Sequence, residues 1–194
     1  MELRFSDDFL KALEFSRDEA VRTGWHNICP DHIMLGILRH ASNDACLALQ
    51  SLGVDTALFK ECIDESVFCS EEVPWEEREN VFPSESAQSM LQHASIEAAR
   101  CKSSCLSPLH FLLACCRISG CYSHDWLAGR GVELRPLVEA AGIEWSSYGL
   151  GQSASADNGQ CSDKKTAAID SMILAAAIEQ RLREGYSADD TIVS

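Results

Sequence analysis

Pro30-Asp31-His32-Ile33-Met34-Leu35-Gly36-Ile37-Leu38 and Pro108-Leu109-His110-Phe111-Leu112-Leu113-Ala114-Cys115-Cys116 write the same helix twice, 78 residues apart. In each, proline suits the first helical turn, and the run behind it leaves almost no polar face, so the helix must be buried. Working outward, the same offset carries Leu13 to Leu91, Ala20 to Ala98 and Gly53-Val54-Asp55 to Gly131-Val132-Glu133. From Leu13 to Ile63 the register holds without a gap. At the start it is read as slipping by one residue, with Phe5-Ser6 facing Phe82-Pro83. A fixed period with this much content is a duplicated supersecondary unit. Two such units present two related surfaces, which points to binding before chemistry.

Each unit reads as four helices. Ser6 is a plausible N-cap, followed by Phe9, Leu13, Ser16 and Ala20 on one face, and Gly24 ends that helix. The buried helix at Pro30 comes second. A third runs from about Asn43-Asp44 to Leu52, and Asp55 caps a fourth carrying Leu58, Phe59, Cys62 and Ile63. Nothing alternates with strand period over a useful length, so the fold class is all-α. The predicted organisation is a double repeat over residues 1–145, with repeat one about 3–68 and repeat two about 81–145. Ser70 to Asn80 is an acidic connector. A Ser/Gly/Ala-rich linker follows over 146–164, then a helical tail over 165–194 with Ile169, Met172, Ile173, Ile178 and Leu182.

Apolar residues make up 46% of the 194, enough for a packed interior. The longest apolar run of the tail, Met172–Ile178, is too short to span a bilayer. The start, Met1-Glu2-Leu3-Arg4-Phe5, lacks the pattern of a signal peptide, so a cytoplasmic protein is expected. The net charge of −14 is uneven: residues 1–80 hold 17 acids and 7 bases, residues 81–145 hold 6 and 5. Such a surface repels phosphate backbones and anionic membranes, which argues against nucleic-acid and membrane partners. It favours basic or guanidinium-bearing partners.

Ten cysteines without a secretory context read as reduced thiols. Cys115 and Cys116 stand where the first unit has Ile37 and Leu38, and Cys62 where the second has Ala140, all core-facing slots. Cys101, Cys105 and Cys121 match Thr23, Asn27 and Asn43, near loops. Cys101 and Cys105, with His93, His110 and His124, could be assembled into a zinc site, but the C-x3-C spacing lacks a second pair at finger or ribbon distance. No metal and no cofactor is expected. His32 and His110, at the start of the buried helices, read as satisfied core residues rather than catalytic bases, and no catalytic residue is assigned.

The run Phe5-Ser6-Asp7-Asp8, then Cys29-Pro30-Asp31-His32-Ile33-Met34-Leu35-Gly36-Ile37-Leu38-Arg39, then Leu49-Gln50-Ser51-Leu52-Gly53-Val54-Asp55, resembles the double Clp N-terminal repeat that fronts the AAA+ unfoldases of the Clp family. The resemblance covers roughly residues 3–145. It implies a pseudo-twofold pair of four-helix units that binds unfolded segments, tagged substrates or adaptors. It also implies a pocket for phosphorylated arginine, which maps onto Ser6 and Asp31 in the first unit. In the second unit Ser84 stands in for the hydroxyl, but Leu109 removes the acid.

No G-x-x-x-x-G-K-[ST] occurs, and none of the five lysines follows a glycine, so neither ATP hydrolysis nor peptide cleavage is expected. The reading is a stand-alone, non-enzymatic recognition or adaptor module for a Clp-type unfoldase or peptidase. The alternative is a redox or metal-responsive regulator using Cys101, Cys105 and Cys121.

Overall fold

Ser6 and Ser84 open the two units identically. Each hydroxyl accepts from the backbone N–H three residues on, Phe9 and Ala87, at 3.2 Å, and so satisfies one of the orphan donors of a helix start. The helices behind them are α1, Asp7–Arg22, and α5, Glu85–Arg100. A computed structural model describes residues 4–71 and 73–149. Strand β1 (Arg4–Phe5) precedes α1, and β2 (Asn27–Ile28), α2 (Pro30–Arg39), α3 (Asp44–Ser51) and α4 (Thr56–Val67) complete the first unit. A 3-10 helix, Trp75–Asn80, leads to the second, which holds β3 (Phe82–Pro83), α5, β4 (Cys105–Leu106), α6 (Pro108–Arg117), α7 (Tyr122–Gly129) and α8 (Leu134–Ala140).

Every helix of the second unit starts 78 residues after its counterpart, and so does β3 after β1. The one-residue slip expected at the start of the repeat is therefore absent. That expectation matched Phe5 to Phe82 by side-chain kind, whereas the chain is registered by its capping serines. The last helix does differ: α8 is shorter than α4, because Gly142 takes a left-handed conformation (φ +75°) soon after it.

The fold is all-α apart from the four two-residue strands, too short for alternation to be legible. They exist because the units interlock. β1 pairs in parallel with β4, and β2 with β3, so each bridge joins one unit to the other. Inside, α2 and α6 are buried along nearly their whole length, and one continuous apolar cluster runs through both units. Phe9 meets Phe111 with ring centroids 6.2 Å apart, and Phe59 stacks on Trp126 at 4.2 Å. The second unit also extends past residue 145. Tyr148 is fully buried, stacks on Trp145 and donates its hydroxyl to Glu97. The rest of the expected linker and the tail helix at Thr166–Glu184 lie outside the described residues.

Two buried glutamates lock the first helix of each unit to the second. Glu19 pairs with Arg22 and Arg39, and Glu97 with Arg100 and Arg117. The six residues correspond at the 78-residue offset, so the repeat preserved an ion cluster as well as a core. Arg22 and Arg39 hold further pairs to Asp64 and Asp18, so the first cluster is a network, whereas Arg100 depends on Glu97.

Gly36 shows how closely α1 and α2 approach. A Cβ there would lie 2.2 Å from the Ala12 carbonyl oxygen and 2.8 Å from the Ser16 nitrogen. Both are backbone atoms and cannot swing aside. Gly36→Ala should therefore lower stability by about 1–3 kcal/mol despite alanine's better helix propensity. Chemical denaturation of the two proteins checks it, and an unchanged or raised midpoint would contradict the close approach.

Candidate protein-recognition site

The helix starts of α2, α3, α6 and α7 converge where the two units meet. At α2 the Cys29 N–H donates to His32 Nδ1 at 3.0 Å, and at α6 the Ser107 N–H donates to His110 Nδ1 at 2.9 Å. Histidine here fills the third helical position, where Glu or Gln usually reaches back to the cap. With Nδ1 accepting, the His32 proton sits on Nε2 and donates to Thr23 Oγ1 at 3.0 Å, and Thr23 passes its own proton to the Glu19 carbonyl. Burial, with the nearby Arg22 charge, pushes the His32 pKa down to about 4, and burial lowers that of His110. Both rings are structural, as their positions in the sequence indicated.

Asp31 bridges the units. Its Oδ2 accepts from the Tyr122 N–H at 3.1 Å, and Oδ1 accepts from the Ser123 N–H at 2.8 Å and the Ser123 hydroxyl at 2.6 Å. The reason lies at the start of α7, whose cap residue is Cys121 and makes no side-chain capping bond. The first unit has Asn43 at that position, and Asn43 caps α3 itself. Asp31 supplies from across the interface the acceptor that Cys121 lacks, with the helix dipole favouring its charge.

The related contact is built the other way round. Leu109 stands at the position of Asp31, and the acid comes instead from Asp44 on α3. Its Oδ1 accepts from the Leu109 N–H at 2.9 Å, and its Oδ2 from the Ser107 hydroxyl at 2.5 Å. By sequence, the second unit loses its acid at Leu109. The structure places one there from the opposite unit. The signal was present in Asp44, which matches Tyr122 at the same offset, but only the interface shows what it reaches.

The strand bridges also decide which hydroxyl stands by which helix. The Ser6 N–H donates to the Leu106 carbonyl, three residues before Leu109, and the Ser84 N–H donates to the Ile28 carbonyl, three residues before Asp31. Ser6 and Asp31 make no hydrogen bond to one another among the described residues, and Asp31 is largely buried. A second feature lies on the pseudo-twofold axis. The Gly53-Val54-Asp55 and Gly131-Val132-Glu133 turns flank an open groove of about 430 Å³ lined by Leu58, Trp126 and Pro136. Arg130 lies over the Trp126 ring at 3.5 Å.

Burial disarms several of the described thiols. Burial pushes Cys29, Cys46 and Cys101 up to about 11 and Cys116 to about 12, far from thiolate at neutral pH. Cys121 is shifted down, by a hydrogen bond from the Cys115 thiol, itself pushed up by that bond and by burial. His124, another residue of the imagined zinc set, makes a 2.7 Å hydrogen bond through Nδ1 to the Cys115 carbonyl. Among the described residues no three His, Cys, Asp or Glu are grouped to hold a metal ion, and no helix is long and apolar enough to cross a membrane.

Residues 4–127 match the family model of the Clp repeat (R) N-terminal domain. The chain belongs to that family. It is 27% identical over 173 residues to the chaperone protein ClpB of Oceanobacillus iheyensis. It is 25% identical over 169 residues to the negative regulator of genetic competence ClpC/MecB of Bacillus subtilis. Each alignment covers 87% of this chain and 20% of the relative, so the chain spans about a fifth of the curated relatives it matches. The interlocked double unit is thus the Clp repeat module, with its helix-start contacts at the centre.

Two measurements check these contacts. Asp44→Ala should destabilise the fold by about 1–3 kcal/mol, because it strands the Leu109 N–H and takes the acceptor from the Ser107 hydroxyl, which keeps only its His110 contact. For His32, the folded pKa of about 4 lies below the ordinary 6.5. The unfolded chain therefore binds more protons between those values, and stability falls as pH drops through that window. The full loss, complete below pH 4, is on the order of 3 kcal/mol. His32→Gln, which keeps the acceptor at the cap, should flatten the slope in urea titrations at pH 7, 5.5 and 4.5; an equal slope would show that another group carries it.

Proposed function

We propose that this Clp repeat chain is a recognition or adaptor module that binds protein segments for a Clp-type AAA+ unfoldase or its peptidase. The observation that carries the reading is the family match across both units, 4–127, which covers most of what the structure describes. Chemistry of its own is disfavoured by what the reactive side chains do: both helix-start histidines are capping groups, and most shifted thiols are held protonated. The acid excess of residues 1–80 selects partners rich in Arg or Lys.

Within this proposal Asp31 is the anionic residue of a pocket for phosphorylated arginine, as the resemblance implied together with Ser6. The β2–β3 bridge holds Ser84 against Ile28, three residues before Asp31, and the β1–β4 bridge holds Ser6 against Leu106, three residues before Leu109, so Ser84 is the hydroxyl proposed to accompany Asp31.

Binding of the full chain to purified Clp unfoldase and to the peptidase, followed by interferometry, should be saturable and should weaken as NaCl rises from about 0.05 to 0.5 M. Absence of binding to either component, with no effect on degradation of an unfolded substrate, would sink the module reading. A peptide carrying phosphoarginine should bind less well to Asp31→Asn and to Ser84→Ala than to Ser6→Ala. Equal affinity for all three would remove the pocket from the proposal.

A further inference from the structure

Three large aromatic side chains are exposed at one end of the first unit: Trp25 at 42%, Phe68 at 68% and Trp75 at 58%. They come from three different segments, and the structure ties those segments together. The Trp25 indole N–H donates to the Val67 carbonyl at 2.6 Å, next to Phe68. The Cys69 N–H donates to the Thr23 carbonyl, and Gly24, at φ +83°, lies so near the Glu71 carbonyl that a Cβ would sit 2.2 Å from it. His26 faces Glu77 at 3.8 Å, which brings the 3-10 helix carrying Trp75 to the same end. The aromatics are therefore presented by a fixed backbone, so ordering them on binding costs little entropy.

Their surroundings are acidic. Glu71, Glu76, Glu77 and Glu79 are all exposed. Arg78, the basic residue of the connector, is turned inward, with its Nε 2.5 Å from Asp18. Its guanidinium also lies 5.0 Å from the Trp75 ring centre, a cation–π contact that the exposed indoles could repeat with an incoming cation. The duplication does not require any of this. At the same offset Trp25 is matched by Ser103 and Phe68 by Ser146. Trp25 also serves the first unit, through its bond to Val67 and its edge contact with His32, but the second unit forms without these aromatics, and clustered exposed apolar side chains of this kind mark interaction sites.

We infer that Trp25, Phe68 and Trp75, ringed by Glu71, Glu76, Glu77 and Glu79, form a docking surface for a basic protein segment that alternates apolar anchors with Arg or Lys. The aromatics hold the apolar side chains, and the carboxylates and indole faces hold the cations. This surface deepens the recognition reading and rests on it. It is separate from the Asp31 contact and from the groove on the pseudo-twofold axis.

The test uses the full chain and a short fluorescein-labelled peptide alternating leucine with arginine, read by fluorescence anisotropy. Phe68→Ser combined with Trp75→Ser should weaken binding at least about tenfold. The triple change Glu71→Gln, Glu76→Gln and Glu79→Gln should do the same, and both variants should keep the wild-type unfolding midpoint. Replacing the leucines of the peptide by serine should lose most of the affinity. Equal binding by the aromatic variant, or equal binding of the serine peptide, would overturn the inference in favour of diffuse charge attraction. A concentration-dependent dimer in sedimentation velocity that disappears with Phe68→Ser would also overturn it, since a second copy would then be the occupant. Association with Clp components is measured in parallel. If that holds while the peptide does not bind, the surface assignment fails alone; if the peptide binds while no Clp component does, the Clp reading fails and the surface stands.

Discussion

A helix start that cannot satisfy its own amides is the constraint on which the arrangement of the two units depends. α7 begins at Cys121, which caps nothing, and α6 begins beneath Leu109, which offers no acceptor. Buried N–H groups in that state would each cost on the order of 1–3 kcal/mol. Asp31 and Asp44 remove the cost by reaching across from the first unit. Both acids therefore belong to one unit, while the helix starts they serve belong to the other. Apolar burial brings the units together, and these directional bonds fix how they are turned.

The same economy takes up histidine and cysteine side chains as structural groups. His32 and His110 replace the glutamate of a capping box, which commits Nδ1 to a backbone amide and fixes the tautomer. A ring so held and so buried resists protonation and is a poor proton shuttle at neutral pH. Cys62, Cys115 and Cys116 fill slots that carry aliphatic residues in the other copy, and burial keeps most of the shifted thiols protonated. Both histidine rings thus serve the fold.

The surface is where the copies diverge most. The Glu19 and Glu97 clusters, the capping serines and the buried helices follow one plan twice. Trp25, Phe68, Trp75 and the acid excess do not: they gather in the first unit and in the segment after it. Duplication supplied a stable pair, and stability places no demand on solvent-facing positions, so each copy could acquire its own exterior.

The sequence by itself determined the duplication, the four helices of each unit, and the burial of α2 and α6. These rest on periodicity, capping residues and glycine stops, which are local signals. The Glu19, Arg22 and Arg39 correspondence to Glu97, Arg100 and Arg117 was also legible at the 78-residue offset, though charged residues at helix ends read as solvated until the packing is seen. Only the tertiary structure decided what crosses between the units. The strands are two residues long and exist because the partner unit supplies their pairing, so no alternation announces them. The register at the start of the repeat was hidden because Phe5 and Phe82 are alike while the structural equivalents Phe5 and Pro83 are not. The role of Asp44 was hidden for the deepest reason. A side chain that completes another unit's helix is specified by a contact 65 residues away in the chain, and nothing in its own neighbourhood records it.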